Sequence, residues 1–161
     1  MKRREFLGGM LAATARGQQG EVFIERPVAG KPHQGNVLAA IQPHVDDIPL
    51  FAGGTVAKLI EEGYKGYLIR VTNDDMAGAG TISETALANE RDNAAVARAL
   101  GLERTFDLNY GNHQMDGISK PELRSRFIFL FRLLQVDTII CYDPWGHYEE
   151  NPDHYVTAQC V

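Results

Sequence analysis

Cysteine, basic charge and long apolar runs are all scarce in this sequence, and each scarcity excludes a class of protein. Two cysteines, Cys141 and Cys160, are too few for a disulfide framework. The net charge is -5, with 16 Lys and Arg residues against 21 Asp and Glu residues, which argues against nucleic acid as a general partner, because phosphate binding needs a basic surface. No apolar run reaches the length that spans a bilayer, and we therefore expect no integral membrane segment.

The composition that remains is that of an ordinary globular domain. With 161 residues, of which 44% are hydrophobic and 23% charged, the chain has the material for one packed core. Residues 1–20 stand apart, because paired arginines at 3–4 precede a mildly apolar stretch that ends in Ala-Thr-Ala at 13–15. This pattern is typical of a twin-arginine export signal, and its alternative is a basic, unstructured start. We expect an exported protein, periplasmic or otherwise extracytoplasmic, and a cytoplasmic one if the segment is not a signal.

The apolar pattern of residues 21–161 predicts strands that alternate with helices. Strands are predicted at about 37–43, 67–72, 105–110 and 138–142, helices at about 51–62, 83–100 and 121–134, and the start of a further helix at 153–159. This alternation predicts an α/β fold, a Rossmann-like three-layer sandwich whose sheet is mostly parallel. The usual winding gives strand order 3-2-1-4, in which strands one and four are neighbours at the topological switch point.

Two groups of polar residues follow the strands that we expect to be neighbours. His44, Asp46 and Asp47 come directly after the first strand, and a segment that includes His147 and His154 follows the fourth. Imidazole and carboxylate groups together bind ions such as Zn²⁺, and a spare carboxylate beside them can act as a base. The alternative for the first group is that one aspartate merely caps the next helix. Because both groups would face one crevice, the sequence favours a shared metal site.

At these residues the chain resembles the PIG-L/LmbE-like family of zinc-dependent de-N-acetylases, whose two motifs usually read Pro-His-Pro-Asp-Asp-Glu and His-Pro-Asp-His. The matching segments here are His-Val-Asp-Asp at 44–47 and Asn-Pro-Asp-His at 151–154. The resemblance implies that His44, Asp47 and His154 bind Zn²⁺ or another divalent metal. It also implies that Asp46 is the general base that deprotonates the attacking water.

The resemblance, which runs from about residue 36 to residue 161, implies a metal-dependent hydrolase. Such an enzyme removes an acetyl or other small acyl group from an amino sugar or its conjugate, so the expected partner is a small molecule. Because the helix that starts at about residue 153 is followed at once by the last residue, we expect residues 21–161 to be a partial catalytic domain that lacks C-terminal elements. The sequence does not indicate an oligomeric state.

One departure from the family pattern bears on catalysis. Asn151 stands where the family usually has a histidine that stabilises the intermediate and assists the leaving amine. An asparagine can donate a hydrogen bond to an oxyanion, but it cannot carry a proton at neutral pH. His147, a few residues upstream, is a candidate for the missing acid, and its alternative is a surface position in the loop. The candidate catalytic residues are therefore Asp46, His147 and Asn151.

Two other hypotheses stay open at this point. The asparagine at position 151 favours a non-catalytic carbohydrate- or metal-binding relative of such enzymes. A nucleotide-binding doubly wound domain is less favoured, because the first strand is followed by His-Val-Asp-Asp at 44–47 instead of a glycine-rich phosphate turn.

Overall fold

The computed structural model describes residue 26, residues 28–146 and residues 148–161. Four parallel strands form one sheet: β1 (Val37–Gln42), β2 (Lys65–Thr72), β3 (Arg104–Tyr110) and β4 (Thr138–Ile140). Their order is β3-β2-β1-β4, which confirms the predicted topology and places β1 beside β4. The helices are α1 (Gly53–Glu61), α2 (Ile82–Ala99), α3 (Lys120–Leu134) and α4 (Pro152–Cys160).

The sheet buries both of its faces under helices, which confirms the three-layer arrangement. Side chains of a strand alternate between the two faces. Leu38 of β1 accordingly packs in a cluster that includes Val56 of α1, and Ile41 packs in a second cluster that includes Phe127 of α3 and Val156 of α4. Helices α1 and α2 therefore cover one face, and α3 and α4 cover the other.

Helix α2 has a defined signal at each end. Thr81 and Glu84 form a capping box at its start, in which each side chain accepts a hydrogen bond from the other residue's backbone N–H. Gly101 follows its end with φ 71°, a left-handed conformation that favours glycine.

The structure differs from the predicted elements at two places near the candidate site. Strand β4 ends at Ile140, because the next residues leave the ladder and the Tyr142 hydroxyl donates a hydrogen bond to Asp47. Cys141, which follows β4, is half-buried. A π-helical turn, Ile48–Ala52, precedes α1, and the sequence pattern did not predict it.

Two predictions fall on residues outside those that the structure describes. These are the export signal at residues 1–20 and the catalytic role of His147. Within the described ranges, none of the helices combines the length and apolar character that crossing a bilayer would take.

Candidate metal centre

Backbone hydrogen bonds hold the turn that carries the first motif. The Asp47 carboxylate accepts from the backbone N–H of His44 at 2.7 Å. The next N–H, that of Val45, donates to the buried Asp74 carboxylate at 2.9 Å. The turn therefore owes its shape both to its own aspartate and to a side chain that follows β2.

The first turn of α4 positions the second motif. Asn151 caps this helix, since its Oδ1 accepts from the backbone N–H of Asp153 at 3.0 Å. Asp153 is fully buried, and its two oxygens accept from the backbone N–H groups of His113 and Met115 at 2.7 and 3.2 Å. These contacts tie the start of α4 to the loop after β3 and leave His154 facing the first motif.

The three residues that the family pattern implies as metal ligands converge. His44 Nδ1 lies 3.0 Å from His154 Nε2, and the Asp47 oxygens lie 3.5 and 3.4 Å from these two nitrogens respectively. A tetrahedral zinc ion with Zn–N bonds of about 2.0–2.1 Å separates its nitrogen ligands by roughly 3.3 Å. The donor set and its spacing therefore fit one divalent cation.

Each histidine also has a carboxylate partner on the ring nitrogen that faces away from this point of convergence. His44 Nε2 lies 3.0 Å from Asp153 Oδ2, and His154 Nδ1 lies 2.8 Å from Glu149 Oε2. Such outer carboxylates orient metal-binding imidazoles and fix which nitrogen carries the proton. Sequence reasoning had assigned neither carboxylate, although Asp153 stands inside the second motif.

Tyr142 is a further neighbour whose position the sequence did not predict. Its hydroxyl donates to Asp47 Oδ1 at 2.8 Å, and its ring stacks on that of His154 with centroids 4.2 Å apart and planes 14° apart. One side chain thus touches two of the three candidate ligands. The structure therefore commits both the ring and the hydroxyl of Tyr142 to the cluster of candidate metal ligands.

The charged forms of the candidate ligands and of the carboxylates beside them stabilise one another. Burial lowers the pKa of His44, but hydrogen bonds to Asp153 and Asp47 outweigh it and raise that pKa to about 10. Burial raises the pKa of Asp47, yet its hydrogen bonds to His154 and His44 bring it well below its usual range. The pKa of Glu149 is also lowered, because its hydrogen bond to His154 outweighs the effect of burial. The acids of the cluster are therefore ionised at neutral pH.

A cavity of about 590 Å³ opens directly onto these residues. Its wall includes Asp46, which is exposed to solvent, and Asn151. Leu50 and Phe51 form an apolar part of the wall, and Phe51 is 74% exposed. A cavity of this size, with a few convergent polar groups, is typical of a small-molecule site.

The structure thus brings five of the six sequence-predicted site residues to one place: His44, Asp46, Asp47, Asn151 and His154 all line the same cavity. Two imidazoles and one carboxylate leave a coordination position for water or substrate, which is the pattern of catalytic zinc sites. The sixth predicted residue, His147, is outside the described ranges.

Comparison with known proteins gives relatives for both the sequence and the fold. The family described as PIG-L, GlcNAc-PI de-N-acetylase, matches residues 39–161. A diacetylchitobiose deacetylase of Thermococcus kodakarensis is 29% identical over 120 residues, which are 73% of this chain and 44% of that protein.

Two solved structures resemble the fold. The N,N'-diacetylchitobiose deacetylase of Pyrococcus horikoshii, in complex with an inhibitor, matches with a TM-score of 0.73 and 24% identity over 99% of this chain and 57% of that one. A 4-carboxy-2-hydroxymuconate hydratase of Pseudomonas putida matches with a TM-score of 0.67 and 18% identity over 78% of this chain and 53% of that one. The chain therefore spans about half the length of these relatives.

Proposed function

Because the chain belongs to the PIG-L family of GlcNAc-PI de-N-acetylases, we propose that it hydrolyses the N-acetyl amide of a small amino sugar or amino-sugar conjugate. The observation that carries this proposal is the convergence of His44, Asp47 and His154 beside the exposed carboxylate of Asp46. Two of the deacetylases that the chain resembles are named for diacetylchitobiose, so an acetylated amino-sugar disaccharide is the first substrate to test.

We propose that the cation is Zn²⁺ or another divalent metal and that it is held by His44 Nδ1, His154 Nε2 and the Asp47 carboxylate. The nitrogens and oxygens of this set suit zinc, and they leave a coordination position open. When bound, such a cation supplies Lewis-acid polarisation of water and of the substrate carbonyl. Asp47 also stays anchored to the backbone of its own turn, so that side chain does not have to be ordered when the metal binds.

Asp46 takes the proton from the attacking water in this proposal. It lies next to Asp47 in the turn, but its side chain is exposed where that of Asp47 is buried, so the two carboxylates serve different groups. Asn151 commits Oδ1 to the cap of α4, so the group that it can offer to the developing oxyanion is its Nδ2 donor. The leaving amine still needs a proton, and we assign that donor role to His147.

Release of acetate from N,N'-diacetylchitobiose by the purified chain, loaded with zinc, is the direct test. We expect Asp46→Asn to reduce the rate by about 10²- to 10⁴-fold, the usual contribution of a general base, while the bound metal is retained. Asp92→Asn is the matched control, because Asp92 is an exposed aspartate on α2 that does not line the cavity. Full activity of metal-free protein, or of Asp46→Asn, would contradict the proposal.

The second candidate function is a binding protein that has kept the metal site and lost the reaction. The observation that favours it is Asn151, whose amide cannot transfer a proton and whose oxygen serves as a helix cap. The same assay distinguishes the two functions, because this candidate requires that the zinc-loaded chain bind the disaccharide without releasing acetate. If acetate is released, His147→Gln then tests the proton donor, and it should lower kcat without a matching change in KM.

A further inference from the structure

Glu149 belongs to neither motif, and both of its oxygens are engaged. Oε2 lies 2.8 Å from His154 Nδ1, and Oε1 accepts from the backbone N–H of Asn151 at 2.8 Å. The side chain therefore joins the ring of a candidate ligand to the residue that caps α4. It is about a quarter exposed, at 27%, so it stands at the edge of the cluster rather than in the core.

The two histidines of the site present different ring nitrogens to each other. His44 turns Nδ1 inward and Nε2 toward Asp153, whereas His154 turns Nε2 inward and Nδ1 toward Glu149. A neutral imidazole carries one proton, and the nitrogen that bears it cannot bind a metal. A carboxylate accepts but does not donate, so it holds the proton on the nitrogen that faces it. The inner nitrogen is then left with its lone pair.

From this geometry we propose that Glu149 is the positioning residue that keeps His154 in the Nδ1–H tautomer, so that Nε2 is ready to bind the cation. This inference rests on the metal site proposed above. Asp153 has the corresponding place beside His44, with its oxygens held by the backbone N–H groups of His113 and Met115. Glu149 is held by the backbone N–H of Asn151 in the same manner.

Glutamine at this position cannot reproduce both contacts. Glu149 accepts with each oxygen, but a glutamine side chain has one oxygen and one NH₂ group. If its oxygen keeps the contact with Asn151, its NH₂ group faces His154 Nδ1 and favours the wrong tautomer. We therefore expect Glu149→Gln to impair the site at least as much as Glu149→Ala, although glutamine is nearly isosteric with glutamate.

The test measures zinc affinity at fixed pH by competition with a chromophoric chelator. Loss of an outer partner of a metal ligand commonly lowers affinity about 10- to 100-fold, and we expect a loss of this size for both Glu149 variants. Glu150→Gln is the matched control, since it removes the same charge from the exposed neighbouring residue and should leave affinity within about 2-fold of the wild type.

Long-range ¹H–¹⁵N imidazole spectra supply a readout that a merely structural role would not move. In the zinc-loaded protein we expect opposite tautomers, Nε2–H for His44 and Nδ1–H for His154. In metal-free protein, at a pH where the His154 ring is neutral, we expect the wild type to keep the His154 proton on Nδ1 and the Glu149 variants to move it toward Nε2.

Each result decides between the two proposals. A wild-type chain that binds no zinc overturns the metal site and this inference together. A wild type that binds zinc, with Glu149→Gln and Glu149→Ala unchanged in affinity and in His154 tautomer, overturns only the role of Glu149. Loss of affinity with no change in tautomer also overturns it, because Glu149 would then act through charge or folding.

Discussion

Substitutions of Asp74 separate the two ways in which this buried carboxylate acts on the turn that carries His44. Asp74 is fully buried, accepts from the backbone N–H of Val45 at 2.9 Å, and lies 3.5 Å from Nη1 of the buried Arg70. Burial raises the pKa of Asp74, although His44 and Arg70 act in the opposite direction. His44 and Arg70 therefore do not fully offset the cost of burying this charge, and we infer that Asp74 stabilises the turn mainly as a hydrogen-bond acceptor.

The magnitudes follow from what each variant leaves behind. Asp74→Ala deprives Val45 of its acceptor, a loss of about 1–3 kcal/mol, and breaks a buried ion pair, for which about 3 kcal/mol is reasonable because Arg70 keeps Asp107 at 2.7 Å. Alanine at the observed φ of 53° adds about 1 kcal/mol of strain. These effects overlap within one network, so we expect the free energy of unfolding to fall by about 4 kcal/mol.

Asparagine and glycine divide this loss into its parts. Asp74→Asn keeps one oxygen that can accept from both Val45 and Arg70 Nη1, and it tolerates the left-handed backbone, so we expect a loss of only about 1 kcal/mol. Asp74→Gly removes the carboxylate but not the conformational freedom, and it should be about 1 kcal/mol more stable than Asp74→Ala. Asp92→Ala, at an exposed position of α2, is the control and should stay within about 0.5 kcal/mol of the wild type.

Urea unfolding followed by circular dichroism measures these differences, with an unchanged m-value as the condition for comparing them. Zinc affinity measured on the same samples shows whether the turn has moved, because Val45 lies between His44 and Asp46. Equal destabilisation by Asn and Ala would refute the reasoning, since the charge rather than the acceptor would then hold the turn. So would an Asp74→Ala variant within 1 kcal/mol of the wild type.

Two further predictions concern the cluster itself. Tyr142→Phe removes the hydrogen bond to Asp47 Oδ1 and keeps the ring on His154. We therefore expect the free energy of unfolding, measured in urea, to fall by about 1–2 kcal/mol, and an unchanged midpoint would contradict this contact. In EDTA, the folded pKa of His44 at about 10, against 6.5 for the free side chain, predicts a contribution to stability that is complete below pH 6.5 and lost as the pH rises toward 10. Without metal, calorimetry should show the melting temperature falling as the pH rises over this range. The extra stability that added zinc gives should increase with pH, because zinc displaces protons from its ligands.

The order of the elements could be predicted because their signals are local. Strands β1, β2 and β4 are mainly apolar, β3 alternates apolar with polar side chains, and the winding rule then fixes which strands are neighbours. Strand β4 was overestimated, because Cys141 and Tyr142 continue the apolar run while the chain leaves the ladder after Ile140. The apolar run itself does not indicate that Tyr142 donates a hydrogen bond to Asp47, which is distant in sequence.

The candidate site could be predicted only as far as its inner residues. Adjacent acids and a histidine at the end of a strand form a recognisable pattern, and so does the second motif. The outer partners, Glu149 and Asp74, depend on the direction in which a ring or a turn N–H points, and this direction follows from packing between distant segments. Glu149 has one signal in retrospect, since it is a carboxylate shortly before a candidate metal ligand, His154, at the start of a helix.

The fold by itself does not select the reaction, and the arrangement at the strand ends has to do so. The chain shares its architecture both with a deacetylase and with a hydratase, each at a TM-score above 0.6. Both reactions need an activated water, which a metal site beside Asp46 would supply. Amide hydrolysis differs in that an amine must leave with an added proton. The identity of the reaction therefore depends on the segment around Asn151, where the chain departs from the family pattern, and not on the motif after β1.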